Sequence, residues 1–139
     1  MYCTPFLLFD GNCAEAMTFY QNCFGGDLTL TRTRDTPMKD QFGPEKQDKI
    51  INARLKSGMI EFSATDWHAD SIAPQHGNTF SIYLTGATYN DLKGVFDALC
   101  EGADRDERTF MTLREMPFGT YGQLTDKYRV SWVFVGQNQ

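Results

Sequence analysis

One glutamate and two arginines are the residues best suited to handle a polar ligand in this 139-residue chain. Glu61 and Ser63 alternate along a strand-like run, so their side chains share one face with each other. Arg32 and Arg54 lie in the two preceding strand-like runs. A glutamate facing an arginine would be charge-paired and could orient a ligand, whereas an isolated buried glutamate would have a raised pKa and could act as a general base. Glu61 is therefore the candidate catalytic residue. For the arginines, the alternative to a role beside Glu61 is that they point outward and are solvated.

Aromatic side chains near the predicted strand ends could complete a ligand pocket. Trp67 follows the strand of Glu61, and Trp132 lies in the last strand. A cleft lined in this way can stack a planar ligand, although packing in the core explains both residues equally well. The residues that we group as pocket candidates on this basis are Arg32, Arg54, Glu61, Ser63, Trp67 and Trp132.

Motifs for metal binding, covalent catalysis and nucleotide binding do not accompany these residues. Asp66, His68 and Asp70 would share a face if extended, but this spacing is common by chance, and solvated loop residues are the favoured interpretation. The cysteines have no CxxC spacing, which indicates reduced, mostly buried thiols. We expect no cofactor and no divalent metal.

Composition narrows the partners and the compartment. The net charge is -5 and no basic cluster is present, so nucleic acid is not an expected partner. No apolar run has the length that a bilayer span needs, and the N-terminal residues reach Asp10 too early for a signal peptide. We expect a cytoplasmic protein, with no membrane partner, that binds a small molecule.

The elements that must position these side chains occur twice. A strand (PFLLF), a turn, an amphipathic helix and a Gly-Gly pair form the first copy, and TFSIYL, a turn, the helix YNDLKGVFDALC and Gly102 form the second. Short strand-like runs follow each copy, at 28–33, 50–55 and 59–65 and then at 109–114, 121–124 and 131–135. This pattern predicts an α+β fold in which two βαβββ repeats, about 1–68 and 77–139, form a curved, cup-like mixed sheet within one domain, 1–139.

Two local signals define the helix starts, and one segment is irregular. Asn12 is expected to cap the first helix through its side chain, and Thr88 with Asp91 forms a variant capping box for the second. The segment from Asp35 to Lys49 is polar, with proline and glycine, and reads as a long loop. Its few apolar residues make it either a lid over a cavity or a loop pinned to the core.

The phrases FDGNCAEAMTFYQNCFGG and LTDKYRVSW carry a resemblance that covers essentially the whole chain. They resemble the N-terminal signature and the C-terminal phrase, DxFGxxW, of PhnB-like proteins in the vicinal oxygen chelate (glyoxalase/bleomycin resistance/dioxygenase) superfamily. Arg129 replaces the glycine of that phrase, so the turn is expected to differ, because arginine tolerates positive φ only at a cost. Similar family members pair about a twofold axis, which implies a homodimer; a monomer whose units and long loop cover the open sheet is the alternative.

The resemblance also implies four metal-ligand positions, which this chain fills with other residues. Carried over by register, they are Pro5, Glu61, Thr79 and Val133 or its neighbour Trp132. Glu61 alone could bind a metal, and one carboxylate does not complete a first shell. Thr79 joins the pocket candidates on this ground. The resemblance therefore implies a small-molecule binder without the usual metal; the alternative is a lyase or transferase with Glu61 as general base or remnant metal ligand.

Overall fold

The first half of the chain folds into a four-stranded mixed sheet with one helix on it. The computed structural model describes all 139 residues, and residues Met1–Gln75 form one compact unit. Its elements are β1 (Phe6–Phe9), α1 (Cys13–Phe24), β2 (Asp27–Arg32), β3 (Ile50–Lys56) and β4 (Glu61–Asp66). The strand order is β1-β4-β3-β2, with β1 parallel to β4 and the other pairs antiparallel.

The second half, His76–Gln139, repeats this topology. Its elements are β5 (Ile82–Thr88), α2 (Tyr89–Leu99), β6 (Met111–Met116), β7 (Gly119–Thr125) and β8 (Ser131–Gln137). The order is β5-β8-β7-β6, and β5 is again parallel to β8. The predicted α+β fold of two βαβββ repeats is confirmed, with each repeat forming a sheet of its own. Neither helix is long and apolar enough to cross a membrane.

Helix α1 forms because its apolar residues recur on one face, which it buries against the sheet. The ring of Tyr20 packs edge-on against Phe62 of β4, with 5.5 Å between centroids. Gly25 and Gly26 end the helix with φ angles of 73° and 89°. A Cβ at Gly26 would lie 2.6 Å from that of Ser57, so only glycine fits there.

The start of α1 differs from the prediction. Asn12 makes no capping bond through its side chain. Instead, one carboxylate oxygen of Asp66, from β4, accepts hydrogen bonds from the backbone N–H groups of Gly11 (2.9 Å) and Cys13 (3.0 Å), and the other accepts from Ile50 N–H (2.8 Å). A buried carboxylate from a distant strand thus supplies the acceptor that a local cap would have given.

Helix α2 begins as predicted, while the strand before it does not. The Asp91 carboxylate accepts from the Thr88 backbone N–H (3.3 Å) and hydroxyl (2.8 Å), which confirms the capping box. Strand β5 starts at Ile82 and runs to the cap itself, so the stretch from Thr85 to Thr88 is strand with irregular pairing rather than a turn. Gly86, at φ 90°, accommodates that irregularity. Thr79 consequently precedes the strand.

Each sheet has a face that its helix does not cover, because strand residues alternate. In the first sheet this face, called the first open face, carries Phe6, Leu8, Arg54, Glu61 and Ser63. In the second sheet, the second open face carries alternate residues of β5, β7 and β8, namely Tyr83, Thr85, Tyr121, Gln123, Thr125, Ser131, Val133 and Val135.

The segment from residue 35 to residue 49 is irregular, as predicted, and contains short 3-10 turns. The Gln47 side-chain amide donates to three carbonyls within it. The Lys46 ammonium lies 2.7 Å from the Asp70 carboxylate, and the rings of Phe42 and His68 are 5.0 Å apart. These contacts with the residues after β4 favour a pinned loop over a lid.

Candidate functional site

Glu61 lies in a three-residue polar network on the first open face. Its Oε1 accepts hydrogen bonds from Nε of Arg54 (3.0 Å), from the terminal guanidinium nitrogen Nη2 of Arg54, and from the Tyr2 hydroxyl (3.1 Å). The same Nη2 also donates to the Tyr2 hydroxyl oxygen (3.2 Å). Glu61 is therefore charge-paired, which is the first of the two environments considered for it.

The pairing determines what Glu61 can do with a proton. The hydrogen bond from Arg54 lowers the pKa of Glu61, and the same bond raises the pKa of Arg54. A carboxylate stabilised in this way stays ionised at neutral pH and is a weak base. Its geometry suits orientation of a polar group more than proton abstraction.

The structure brings three of the pocket candidates in the first unit together and leaves two apart. Ser63 shares the face of Glu61 and is the register partner of Arg54 across β3 and β4. Arg32 is half-buried at the end of β2, opposite Ile50 at an irregular pairing position. The nearby Arg34 lies beyond the strand and pairs with Asp48.

Trp67 follows β4 and is tied down by its backbone. Its N–H donates to Phe9 O (2.6 Å), and its carbonyl accepts from the Lys49 ammonium (2.6 Å). Its indole Nε1 is buried without a hydrogen-bond partner. Trp67 therefore belongs to the packed end of the first sheet, away from the Arg54–Glu61 pair along β4.

The prediction that Asp66, His68 and Asp70 are solvated loop residues is wrong for two of the three. Asp66 is 2% exposed and its carboxylate is taken by three backbone amides. His68 shares hydrogen bonds with the Thr33 hydroxyl (2.6 Å at Nε2) and the Asp66 carbonyl (2.7 Å at Nδ1). Asp70 alone is solvated, and it pairs with Lys46. The donor atoms of the cluster are structural.

The four family metal positions do not fit a divalent cation. Pro5 offers only its carbonyl, which accepts from Ser63 N–H (3.0 Å), and Thr79 is exposed ahead of β5. Val133 has no donor atom, and Glu61 already accepts from an arginine. No group of three or more histidine, cysteine, aspartate or glutamate side chains is arranged to hold a metal.

A cavity of about 490 Å³ lies on the second open face, and sequence reasoning did not locate it. Strand side chains form its floor, and residues 76–78 and 104–109 border it. Trp132 is among the residues around it, but its side chain is fully buried and its indole Nε1 donates to Asp126 (2.8 Å). Thr79 does not line it. The other polar and charged lining residues are His76, Asn78, Ser81, Asp104, Asp106, Arg108, Thr109, Gln123, Thr125, Arg129 and Ser131.

The lining is polar and contains two arginines, of which Arg108 is paired with a carboxylate and Arg129 is not. The Arg108 guanidinium donates to both carboxylate oxygens of Asp106, at 2.6 to 3.3 Å, while the hydroxyls of Thr125 and Ser131 lie 3.0 Å apart. Arg129 has no such partner, and it adopts a positive φ of 72°. The turn expected to change at Arg129 therefore keeps a glycine-like backbone. An arginine at a glycine position was the sequence signal for this residue.

Comparison with known proteins gives one family and several similar structures. The sequence model of the family described as 3-demethylubiquinone-9 3-methyltransferase matches residues 2–135. Protein PA1353 from Pseudomonas aeruginosa is 27% identical with a TM-score of 0.82, covering 100% of this chain and 99% of its own. A putative 3-demethylubiquinone-9 3-methyltransferase, PhnB protein, from Bacillus cereus is 28% identical with a TM-score of 0.72, covering 98% and 99%.

A more distant structure shares the fold alone. The fosfomycin resistance protein FosX from Listeria monocytogenes is 9% identical, with a TM-score of 0.60 and coverage of 97% of this chain and 91% of that one. No curated protein matches the chain.

Proposed function

The chain belongs to the PhnB-like 3-demethylubiquinone-9 3-methyltransferase family of the vicinal oxygen chelate superfamily, and from that premise we propose that it binds a small polar molecule in the second-unit cavity without the superfamily's divalent metal. The observation that carries this proposal is the cavity of about 490 Å³ on the second open face. Its volume falls within the range of small-molecule sites, and hydroxyl, amide and charged side chains converge on it. The ligand is therefore polar rather than a large apolar one.

Binding without a metal rests on the residues at the family positions. A carboxylate that already accepts from Arg54 and Tyr2 would have to exchange those bonds for a cation, with no second side-chain ligand at the other positions. Equilibrium dialysis with nickel, zinc, manganese and ferrous iron tests this. We expect only weak, non-stoichiometric uptake; tight 1:1 uptake that disappears in Glu61→Ala would overturn the metal-free proposal.

Catalysis by Glu61 as a lyase or transferase base is the competing function. The lowered pKa of Glu61 argues against proton abstraction, because Arg54 stabilises the ionised form. The family description names a methyl transfer, and neither the turn between β1 and α1 nor the end of β5 before α2 carries a nucleotide-binding glycine loop. Binding is thus better supported than chemistry at this glutamate.

The binding proposal is tested by filling the cavity. Val133 lines it, whereas Val135 lies two residues on, on the same strand and face, and does not line it. A thermal-shift panel of small acids, amines, alcohols and sugars should contain compounds that stabilise the wild type and Val135→Phe but not Val133→Phe. A ligand at a hundred times its Kd stabilises a folded protein by about 2.7 kcal/mol. If compounds stabilise both phenylalanine variants equally, binding lies elsewhere.

We further propose that the protein is a homodimer. Phe6 on edge strand β1 and Tyr83 on edge strand β5 are each 58% exposed, and Leu8 is exposed beside Phe6. Apolar side chains on edge strands favour pairing with another copy. Sedimentation equilibrium at low micromolar concentration should give twice the 15.8 kDa chain mass, and Phe6→Glu should shift it toward one chain. A single 15.8 kDa species for the wild type would refute the dimer.

A cytoplasmic location is the remaining part of the proposal. All four cysteines are free thiols, and Cys13 and Cys100 are buried. Free thiols in this number support a reducing compartment. A fractionation experiment on the native host, with the chain detected by antibody, would test it; recovery in a secreted fraction would contradict it.

A further inference from the structure

The cavity turn holds an arginine where backbone geometry favours glycine. Arg129 is the one non-glycine residue of the chain with positive φ, at 72°, while six glycines share that region. A side chain in this conformation is strained, because its Cβ approaches the neighbouring carbonyl. Such strained residues cluster at functional sites.

A buried carboxylate fixes the turn around Arg129. Asp126 is 1% exposed, and its Oδ1 accepts from the backbone N–H groups of Tyr128 (2.8 Å) and Val130 (3.2 Å). The other oxygen accepts from the Trp132 indole (2.8 Å), and Asp126 and Arg129 are also joined through their backbones (2.9 Å). The position of the Arg129 Cα at the rim is therefore set before any ligand arrives.

Arg129 lines the cavity, and its guanidinium has no partner from the chain. Neither a side-chain hydrogen bond nor an ion pair engages it, in contrast to Arg108, which is neutralised by Asp106. An unpaired guanidinium presents a planar fork of donors that matches the two oxygens of a carboxylate or phosphate group. The cavity floor adds neutral partners, the Thr125 and Ser131 hydroxyls and the Gln123 amide.

A second charge, which forms no ion pair but acts electrostatically on the Arg108 guanidinium, limits the ligand class. Asp104 also lines the cavity, and its carboxylate accepts only the backbone N–H of Asp106 (3.0 Å) while forming no ion pair. It would repel a second negative group and accept a hydrogen bond from an ammonium or hydroxyl group.

On these grounds we propose that Arg129 is the anchor for a single oxyanion of a small amino or hydroxy acid in the second-unit cavity. This inference rests on the proposed binding function and names its ligand class. Arginine is kept at this strained position because lysine lacks the planar fork of donors and glycine lacks the charge.

Amide-resolved NMR titration tests the assignment with a matched series of probes. The probes are β-alanine, 3-hydroxypropionate, propionate, methyl phosphate and neutral propionamide, each at constant ionic strength with chloride. We expect β-alanine and 3-hydroxypropionate to bind more tightly than propionate, and propionamide to bind least, with shifts at the amides of Gln123, Thr125 and Ser131. The methyl phosphate arm distinguishes a phosphate from a carboxylate preference at the same arginine.

Variants test whether Arg129 is the residue that binds the oxyanion. Arg129→Gly keeps the backbone conformation and should weaken the acids about ten-fold, the size expected for a charge-assisted contact, while leaving propionamide unchanged. Arg129→Lys should recover part of this loss. Arg114→Ala removes the same charge from β6 of the same sheet, outside the cavity, and should bind like the wild type.

The possible results distinguish a failure of the oxyanion assignment from a failure of the proposed binding function. If propionamide binds in the cavity as tightly as propionate, or if Arg129→Gly and Arg114→Ala weaken the acids equally, the cavity remains a binding site and the oxyanion assignment fails. If none of the probes moves the cavity amides, both the assignment and the binding proposal are overturned.

Discussion

Replacing Arg129 with glycine should stabilise the protein, which is an unusual expectation for a change at a binding residue. A non-glycine residue in the left-handed region is destabilised by about 1 to 2 kcal/mol, and glycine avoids this. Glycine also gives the unfolded chain more freedom, which offsets about 0.5 to 1 kcal/mol of the gain. With φ at 72° and no side-chain bond to lose, the net change is an increase of about 0.5 to 1 kcal/mol in the free energy of unfolding.

The measurement is urea unfolding followed by circular dichroism for the wild type, Arg129→Gly and Arg129→Ala. Alanine removes the guanidinium but keeps a Cβ at the same φ, so it should leave the midpoint near that of the wild type. Glycine should raise the midpoint without changing the m-value, and should raise Tm by about 2 to 4 °C. If the glycine variant is no more stable than the alanine variant, the turn is not strained at Arg129, and strain no longer supports a role for the side chain.

Three further predictions test the carboxylates and thiols. Because Arg54 lowers the pKa of Glu61 below its ordinary 4.5, the pair should stabilise the fold above that pH and lose its effect as pH falls through the lowered pKa. In a plot of the free energy of unfolding against pH, Glu61→Gln should flatten this acidic part of the curve, and parallel wild-type and variant curves would count against the prediction. Burial raises the pKa of Cys13 to about 12, so iodoacetamide at pH 8 should label exposed Cys3 and spare Cys13 until urea is added. Mass spectrometry measures the labelling, and equal labelling of the two cysteines in the native state would contradict this prediction. Asp66→Ala leaves two buried N–H groups, of Cys13 and Ile50, and the part-buried N–H of Gly11 without an acceptor, and should lower the free energy of unfolding by roughly 3 kcal/mol, with a smaller loss for Asn. A loss under about 1 kcal/mol would show that water replaces the carboxylate.

The elements were predictable because their signals are local. The apolar face of α1 and the Thr88–Asp91 capping box each occupy a few consecutive residues, and both are found in the structure. The cap of α1 was not predictable in this way, because its acceptor, Asp66, lies 53 residues from Cys13. In the sequence Asp66 looked like part of a histidine and aspartate cluster. Its role follows from the parallel pairing of β1 and β4, which brings the end of β4 beside the start of the helix.

The candidate site was predictable only in part, for a related reason. Strand alternation correctly placed Glu61 and Ser63 on one face, yet alternation does not tell which sheet bears a cavity. The cavity depends on residues 104–109, where the Asp106 carboxylate accepts from the Arg108 backbone (2.9 Å) and shapes an irregular turn. Such turns have no periodicity, so the sequence drew attention to the first unit and to Glu61.

Glu61 lies on the first open face and Arg129 lies in the turn between β7 and β8, and the difference between these two charged residues indicates where binding energy is available. Glu61 already has its counter-charge in Arg54 and a further donor in Tyr2, so a ligand would have to displace existing bonds before it gained any. Arg129 has no such bonds, and the turn fixed by Asp126 has ordered its backbone. A ligand there gains a charge-assisted contact without first breaking one, and with little backbone ordering left to oppose it. We therefore expect the unpaired arginine of the second unit to be the stronger binding determinant, although the paired glutamate occupies the position that the resemblance links with metal binding.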